Sequence, residues 1–575
     1  MAVVFVKRSV VNSGKRRYEY LSLVEAFRDE QGRSRQRTIA RLGEVSALRI
    51  SGDLDRIIAA LKRFADEDDD EDDEDDGPPG WEAVAAPAWG ATAAVAAVWD
   101  RLALGQFFSE RSGHLSFDLG AAIFVMVLNR LVDPSSKRRV IDWLDDDQAL
   151  PDEFDRLDLH HLYRALDHLA DAKTDLEAHL WSQLTNLTNL DLSLVCYDLT
   201  STYFEGAVGG SERFPSKAFG YSRDKRGDRP QIVIGLLCTG DGLPIAHRVW
   251  PGNTSDLATL PTVLDDLRDR FAIGRICLVA DRGLISKVNL EAVTKAGFAH
   301  IIATRLHRDK TCAAALEAAH RPDAVWSTDD WQRWVCDTTT EDGVRAVVVY
   351  SGSRRRRDLA RTEELVGRCE TKLLALEARV DRGDLTDAGK IGRAAQRILG
   401  PSGIGRLFDV DIEEGHFRYH YNEAAMAYED TLAGHYVLVT DLTTDEASPV
   451  RVARMWHQLH NIEARFRVLK DFLGLRPIYH WTEKRVRGHV AVCVLGAVIE
   501  AIITSDLHHA EIADPDLERQ PLTAARALRI LQRIRRVTLA AGTRTMTLTS
   551  RATPFQRQIL TAIGTDTTWP AATVT

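Results

Sequence analysis

Residues 191–206 read DLSLVCYDLTSTYFEG, and this apolar run of β-favouring side chains predicts a buried strand. After a loop rich in Lys, Arg and Gly, PQIVIGLLCTGDGLPIAHRVWPG (230–252) predicts two strands around an Asp-Gly turn. A helical pattern, LATLPTVLDDLRDRFA, then precedes a strand-like run, RICLVADRG (275–283). Strand, hairpin, helix and strand in this order predict a mixed α/β core.

Three parts precede this core. Residues 1–50 carry 11 Lys+Arg against 5 Asp+Glu and contain two strand-like stretches around the turn DEQGRS, which predicts a basic β-hairpin module, either a DNA-docking element or a plain surface hairpin. Residues 51–85 are expected to form a helix and a disordered linker, because 66–76 are all acidic and GPPG follows. Helical spacing over 86–190 predicts a helical domain, which we assign to DNA binding.

The core is expected in two pieces. Its first part spans 191–305, and the polar and helical stretch 306–433 is interpreted as an insertion domain. GHYVLVTDL (434–442) restores a core strand, and a helix over about 449–473 and a second helix complete the second part, 434–505. Residues 506–575 form a basic C-terminal region. Residues 451–575 together hold 18 Lys+Arg against 10 Asp+Glu. Like residues 1–50, they therefore carry an excess of positive charge that could bind the phosphates of a nucleic acid.

Composition indicates a globular protein of the bacterial cytoplasm. The chain has 575 residues, 45% hydrophobic and 27% charged, and without the 11 acids of the linker its 73 remaining Asp+Glu balance 74 Lys+Arg. The seven cysteines show no CxxC or Cys/His spacing, which indicates reduced, buried thiols. No signal peptide is recognised, and the longest apolar stretch, 490–503, contains Glu500 and is shorter than a membrane span.

Two aspartates follow apolar strand-like runs. Alternation in VCYDLT places Cys196, Asp198 and Thr200 on one face of a strand. In ICLVADRG, Asp281 ends the apolar run two residues before Gly283. We therefore expect two carboxylates at strand ends in one sheet, although each aspartate, taken singly, is equally compatible with a cap.

The helix over 449–473 supplies a third carboxylate. At 100° per residue, Glu463 borders an apolar stripe and lies within about 80° of Trp456, Leu459, Arg467 and Lys470. Without the aspartates, an ordinary amphipathic helix with a Glu463–Arg467 pair explains this pattern as well. His457, His460 and Glu463 do not match a helical zinc motif, whose histidines stand four residues apart.

Together these blocks resemble the DDE transposases of bacterial insertion sequences, in the branch with a ribonuclease H-like core and a large insertion before the final glutamate. The resemblance covers about 190–505. YDLTSTYFEG is similar to the first-aspartate block, VADRGLIS to the second, and HNIEARFRVLKDFLGLRPIYHWTEKRVRGHV to the glutamate helix. GYSRDKRGDRPQIVIGL and GLPIAHRVWPGNTSD are similar to the stretch after the first aspartate. No phosphate-binding loop, GxSxG or GxGxxG motif is found.

The resemblance implies roles for single residues. Asp198, Asp281 and Glu463 take the catalytic positions and hold divalent ions, Mg²⁺ or Mn²⁺ and two in number, while Lys470 takes the position of a lysine that contacts DNA. Trp456 and Leu459 depart from the Tyr and Arg of the related pattern, Tyr-x2-Arg-x3-Glu-x6-Lys. Trp456 keeps an aromatic platform, and Arg467 is our candidate for the missing arginine. Arg282 and Arg465 complete the expected DNA contacts.

The function implied is cleavage at the ends of an insertion element, followed by transfer of the freed 3′-OH into target DNA. The implied partners are terminal inverted repeats, target DNA and a second copy of the chain, in the cytoplasm near the nucleoid. A nuclease with the same core but no strand transfer, and a non-catalytic DNA-binding derivative, remain alternatives. A joining assay with pre-cut ends separates the first alternative, and a metal-dependent nicking test separates the second.

Overall fold

The computed structural model describes most of the chain as two compact units, Met1–Trp81 and Glu82–Thr575. The described residues are 3–13, 16–28, 34–44, 82–151, 154, 156–187, 194–206, 209–211, 214–270, 277–280, 287–304, 310–329, 331–517, 520–541, 544–565 and 573–574.

The first unit is an antiparallel sheet of three strands in the order β1-β2-β3, formed by β1 (Val3–Ser13), β2 (Arg16–Arg28) and β3 (Ser34–Glu44). The expected hairpin corresponds to β2 and β3, and β1 is an addition that pairs with β2 over its whole length. In β1 the apolar run VVFV passes into polar residues, so alternation alone gave no strand signal there. The predicted helix and acidic linker lie outside the described residues up to position 81.

The second unit mixes helices with a large sheet, which confirms the predicted α/β class. Its helices are α1 (Gly90–Arg101), α2 (Leu104–Ser112), α3 (Leu119–Val132), α4 (Lys137–Asp146), α5 (Leu159–Leu187), α6 (Leu260–Arg270), α7 (Lys287–Lys295), α8 (Lys310–Ala319), α9 (Gly352–Asp381), α10 (Ala388–Leu399), α11 (Glu423–Leu432), α12 (Pro449–His457), α13 (Leu459–Arg467), α14 (Glu483–His509), α15 (Ala524–Leu531) and α16 (Pro554–Ile563). Its strands are β4 (Glu82–Ala85), β5 (Leu194–Tyr203), β6 (Gln231–Thr239), β7 (Pro244–Pro251), β8 (Cys277–Ala280), β9 (Ala299–Ala303), β10 (Trp326–Thr328), β11 (Trp334–Thr339), β12 (Arg345–Tyr350), β13 (Phe408–Glu413), β14 (His416–Tyr421), β15 (His435–Thr440), β16 (Arg536–Ala541), β17 (Arg544–Thr549) and β18 (Thr573–Val574).

Nine strands form the central sheet in the order β10-β11-β12-β15-β9-β8-β5-β6-β7. β5, β6 and β7 are antiparallel neighbours, while β5 pairs with β8 and β8 with β9 in parallel. One face of β5 packs against the helices α6 and α7 through Val195, Tyr197 and Leu199. The other face, with Leu194 and Cys196, belongs to the main core that includes α13 and α14.

The region assigned to an insertion domain divides in two. β10, β11 and β12 extend the central sheet through the β12–β15 pairing, so they belong to the core layer rather than to a separate domain. The remaining residues, from α9 to α11, have an apolar cluster of their own that includes Leu373, Ile391 and Phe417. The part of this region that has an apolar cluster of its own begins at α9, because the three strands before it join the central sheet through the β12–β15 pairing.

The C-terminal region packs into the same unit as the helical domain. Leu528 and Ile559 share the main core with Phe124 of α3, and β16 pairs with β4, which lies inside the stretch predicted as linker. α14 is long and apolar enough to cross a membrane, but 72% of its most apolar window is buried inside the protein. We therefore read α14 as a core helix of this unit.

Candidate active site

Asp198 is the fifth residue of the ten-residue strand β5. The strand continues to Tyr203, so the expectation that Asp198 stands at a strand end is wrong: Thr200, Ser201 and Thr202 are buried polar residues that prolong the pairing with β6. Strand alternation places Asp198 on the face of Cys196, toward the main core and α13. The carboxylate is half-buried and its Oδ1 accepts the backbone N–H of Leu199 at 2.7 Å.

Glu463 lies on α13, which packs against β5 and β6. Leu459, Ile462 and Phe466 form the buried stripe of this helix, and the Glu463 side chain at the edge of that stripe is 58% exposed. Its Oε2 lies 3.3 Å from His460 Nδ1. Within the described part of the chain Glu463 thus pairs with His460 rather than with Arg467, and an exposed carboxylate stands on the same side of the sheet as Asp198.

The helix predicted over 449–473 is interrupted in two places. α12 ends at His457 and α13 begins at Leu459, with Gln458 as the joint. Residues Val468–Phe472 then form a π-helical turn. Such a turn changes the angular position of the following side chains, and π turns occur often at functional sites. It contains Lys470, so the single 100° helical wheel no longer gives the direction of that side chain.

A close approach of α13 to the sheet depends on two glycines in the β6–β7 turn. Asn461 Nδ2 donates to the carbonyl of Gly240 at 2.7 Å. Gly242 has φ +80°, and a Cβ atom there would lie 2.8 Å from the Cβ of Asn461. A side chain at this turn would therefore displace the helix that carries Glu463.

Asp281 and Arg282 lie outside the described residues. Asp281 follows Ala280, the last residue of β8, and β8 is the parallel neighbour of β5 with Val279 opposite Cys196.

The expected DNA contacts fall into different environments. Arg467 is exposed. Arg465 forms an ion pair with Glu500 of α14, and the two side chains are only 12% and 8% exposed. Trp456 is half-buried against the main core, and Leu459 is buried within it. The position where the related pattern has Arg is therefore occupied by a packing residue.

Lys470 is held inside the protein. Its Nζ donates to Asp224 Oδ1 at 2.8 Å, and its side chain is 11% exposed. Burial lowers the pKa of the Lys470 ammonium below its ordinary value, while the Asp224 carboxylate opposes that shift. The same carboxylate also pairs with Arg476.

The buried thiols near Asp198 are poor metal ligands in this setting. Burial raises the pKa of Cys196 to about 12, and it raises the pKa of Cys238, which is paired with Cys196 across β5 and β6, well above its usual value. Both thiols therefore stay protonated near neutral pH. The chemistry offered on this face of the sheet is that of carboxylate oxygens, the ligands that hard divalent cations prefer.

Sequence reasoning missed the partners of the helix residues. Asp224 belongs to the quoted stretch GYSRDKRGDRPQIVIGL, but nothing in that stretch distinguishes it from Asp228. Glu500 stands 35 residues after Arg465, so only the fold reveals that pair. A cavity of about 740 Å³ lined by Asn461 and Arg465 lies on the helix face away from Glu463, and its lining among the described residues includes neither Asp198 nor Glu463.

Comparisons with known proteins cover the three candidate carboxylates and the N-terminal unit. Residues 190–498 match the family model described as transposase DDE domain, and residues 6–75 match the N-terminal domain of IS1634 family transposases. No curated protein matches the chain in sequence.

Two solved structures were found as similar. The piggyBac transposase synaptic complex with hairpin DNA is 9% identical, with 79% of this chain and 81% of that chain covered and a TM-score of 0.35. The Mos1 transposase paired-end complex with the left transposon end is 14% identical, with 41% and 64% covered and a TM-score of 0.14. At these TM-scores neither likeness carries weight for this chain.

Proposed function

This chain belongs to the DDE transposase family, and from that premise we propose that Asp198, Asp281 and Glu463 are its catalytic carboxylates. The family match covers more than half of the chain and includes all three positions. The protein is accordingly a DNA transposase, an enzyme that cleaves DNA and transfers strands. The observation that carries the assignment is the packing of α13, with Glu463, on the face of β5 toward which Asp198 points.

Five strands of the central sheet support a ribonuclease H-like core. In the order β7-β6-β5-β8-β9, an antiparallel meander is followed by two parallel additions, and β5 lies in the middle. Asp281 is one peptide link, about 3.8 Å between Cα atoms, beyond Ala280, and neighbouring strands lie about 4.8 Å apart. These two spacings support the assignment of Asp281 to the same site as Asp198.

The family uses divalent metal ions, and we assign Mg²⁺ or Mn²⁺, two ions, to these three residues. The donor set fits because Asp198 and Glu463 supply carboxylate oxygens while the neighbouring thiols are protonated. A pair of such ions activates the attacking oxygen and stabilises the leaving 3′ oxygen of a phosphodiester. Three clustered carboxylates would repel one another without bound cations, so we expect metal binding to stabilise the site.

The protein side chains position the DNA strand for two successive reactions. In the first, water attacks the phosphodiester at the element end and frees a 3′-OH. In the second, that 3′-OH attacks a phosphodiester of target DNA in the same site. Arg467, exposed one helical turn after Glu463, and Lys470 are assigned to phosphate contacts, and Trp456 and Arg282 to contacts beside them. Arg465 is left out of this set because Glu500 already holds it in a nearly buried pair.

The proposed partners follow from the reaction. Since the reaction cuts the ends of an element and joins them to a new site, we propose terminal inverted repeats and target DNA as the partners of this chain. Joining two element ends in concert requires two active sites, so we propose a homodimer on DNA. The protein acts in the cytoplasm, at the nucleoid.

Single substitutions test the triad. Asp198→Asn, Asp281→Asn and Glu463→Gln each remove one charge with little change in shape, and each should lower metal-dependent cleavage of an element-end substrate by at least about 10²-fold. Binding of the same DNA should remain. The matched controls are Glu364→Gln, an exposed helical glutamate paired with Arg368, and Asp384→Asn, an exposed aspartate paired with Arg382. Retained cleavage in any one of the three triad variants overturns the assignment.

A further inference from the structure

One buried carboxylate gathers two cations beside the candidate site. Asp224, 6% exposed, accepts the ammonium of Lys470 at 2.8 Å and the guanidinium of Arg476 on the same oxygen, Oδ1. A buried charge needs partners to offset its loss of hydration, and here they come from a different part of the chain. The pair Asp224–Lys470 spans 246 positions in sequence.

The loop that carries Asp224 is anchored on two other sides. The backbone N–H of Arg223 donates to Ser201 Oγ at 3.0 Å, and the Arg223 guanidinium donates to both oxygens of Asp256 at 2.8 Å. Ser201 stands three residues after Asp198 on β5. The segment Arg223–Asp224 thus ties the strand of Asp198 to the π-helical turn that continues the helix of Glu463.

Resting on the function proposed above, we propose that Asp224 is a positioning residue, which fixes Lys470 and Arg476 so that they meet the phosphate of the DNA strand being cut. An ammonium has three N–H donors and a guanidinium five. Asp224 engages one donor of Lys470, which leaves two for a phosphate oxygen. Arg476 likewise keeps donors beyond those given to Asp224 and Asp471.

Anchoring a flexible lysine in advance lowers the entropic cost of its contact with phosphate. Its side chain has a flexible four-carbon stem and loses rotamer entropy when fixed. Because Asp224 fixes the ammonium before DNA arrives, that cost is not repeated in the complex with DNA. Misplacement of a positioned group by about 1 Å can slow a reaction about 10²-fold, so the carboxylate acts on the cleavage rate without touching DNA.

A positioning role and a merely stabilising ion pair differ in their effects. Asp224→Asn should slow cleavage of a terminal-repeat duplex about 10- to 100-fold, whereas its affinity for the same DNA should change much less, since the lost negative charge and the lost anchor act on affinity in opposite directions. Asp228→Asn is the matched control: this aspartate lies in the same loop, is 61% exposed and pairs with Arg226 and Arg229. It should cleave at the wild-type rate, and a loss as large as that of Asp224→Asn would overturn the proposal.

The decisive comparison uses the cations themselves. In a Lys470→Gln/Arg476→Gln background, adding Asp224→Asn should change cleavage less than about twofold, because the carboxylate acts only through them. A further tenfold loss would contradict the proposal, and so would wild-type cleavage by Asp224→Asn alone. The double variant leaves the Asp224 carboxylate buried without its two cations, whereas the triple variant does not, so thermal unfolding scans must show that both are folded before their cleavage rates are compared. The comparison of Asp224→Asn with Asp228→Asn does not depend on the double variant.

This result is separable from the triad. If Asp198→Asn cleaves normally, the proposed function fails, whatever Asp224 does. If Asp198→Asn is inactive and Asp224→Asn cleaves like the wild type, only the positioning role fails.

Discussion

Leu459 shows at the scale of one residue why a family pattern does not transfer position by position. The related pattern has Arg at this place, but here the side chain is 8% exposed and packed in the main core. Because this side of the helix is packed into the core, an arginine here would bury an unpaired charge.

Leu459→Arg should therefore destabilise the protein, by about 3–5 kcal/mol, as uncompensated buried charges do. Leu459→Met keeps the volume and should cost less than about 1.5 kcal/mol. Chemical denaturation of both variants measures the difference. Equal stability of Leu459→Arg and the wild type would mean that the position opens to solvent and is available for a phosphate contact.

Lys470 gives a prediction about pH. Burial lowers the pKa of its ammonium, Asp224 raises it, and Arg476 and Arg223 lower it. Since the protonated form binds phosphate, its contribution to DNA affinity should disappear at a lower pH than the ordinary lysine pKa of about 10.4.

Titration of DNA affinity from neutral to alkaline pH should show this loss in the wild type and not in Lys470→Arg, whose guanidinium stays protonated. Lys470→Gln should lower the affinity near neutral pH and reduce the slope of affinity against salt there by about 1, and its affinity should approach that of the wild type as the wild-type ammonium loses its proton. Identical alkaline profiles for wild type and Lys470→Arg would exclude Lys470 as a phosphate contact.

For single residues, the three catalytic carboxylates proposed from the sequence remain a prediction, and the sequence did not predict the partners of the side chains around them. The face of Asp198 followed from strand alternation, and the resemblance singled out Glu463 among similar helical glutamates. The partners of Lys470 and Arg465 could not be predicted, because Asp224 and Glu500 reach them only through the tertiary fold.

At the scale of elements, the distance between α13 and the sheet is set by a turn. Gly242 has a left-handed backbone, with φ +80°, and a Cβ atom added there would lie 2.8 Å from the Cβ of Asn461. Gly383, at φ +78°, has nothing within 4 Å of its added Cβ. Alanine substitutions at the two glycines can therefore be compared to separate the cost of backbone strain from the effect of displacing the helix.

Gly383→Ala should cost about 1 kcal/mol, the price of a left-handed backbone alone. Gly242→Ala should cost more and should also slow DNA cleavage, because the Glu463 helix has to move. Thermal unfolding and cleavage rates of the two variants test this. Unchanged cleavage in Gly242→Ala, with the protein folded, would show that the helix position does not matter for the reaction.

The sequence predicted elements best where they are long and periodic. The runs that became β5, β6 and β7 and the long helices were readable from alternation and helical spacing. β10, β11 and β12 were not, since they are three to six residues long and are stabilised by pairing with one another and, through β12, with β15. The break between α12 and α13 at Gln458 was not predictable either, because the two helices share one continuous helical pattern in the sequence.

At the scale of the whole molecule, a buried basic cluster joins the helical domain to the second half of the core. Arg130 donates to the carbonyls of Leu473 and Gly474 at 3.4 and 3.1 Å, and Lys137 and His489 are buried beside it. Burial and these cations lower the pKa of His489 well below its usual value and that of His480 to about 3.

Both histidines are therefore neutral in the folded protein, while the unfolded chain takes up protons below about pH 6.5. Stability should be full above that pH and should fall as the pH decreases toward 3. His489→Gln should flatten the dependence, and thermal unfolding between pH 7 and pH 4 measures it. A stability that rises on acidification would contradict the buried, neutral state.

The overall arrangement was only partly predictable. A mixed α/β core interrupted before the glutamate helix followed from the sequence, but the basic C-terminal region was expected as a separate end. Instead Leu528 and Ile559 complete the core of the helical domain. Amphipathic spacing in α15 and α16 reveals an apolar face, but it cannot reveal which distant helix covers that face.

The central claim, that three distant acids share one metal site, is tested most directly by mapping where the metal binds. Fe²⁺ in place of Mg²⁺, with ascorbate and peroxide, cuts a polypeptide close to the bound ion. We predict cuts near Asp198, Asp281 and Glu463 in the wild type, and loss of all three in Asp198→Asn. Cuts at only one or two of these positions, or the full set persisting in Asp198→Asn, would contradict a shared site.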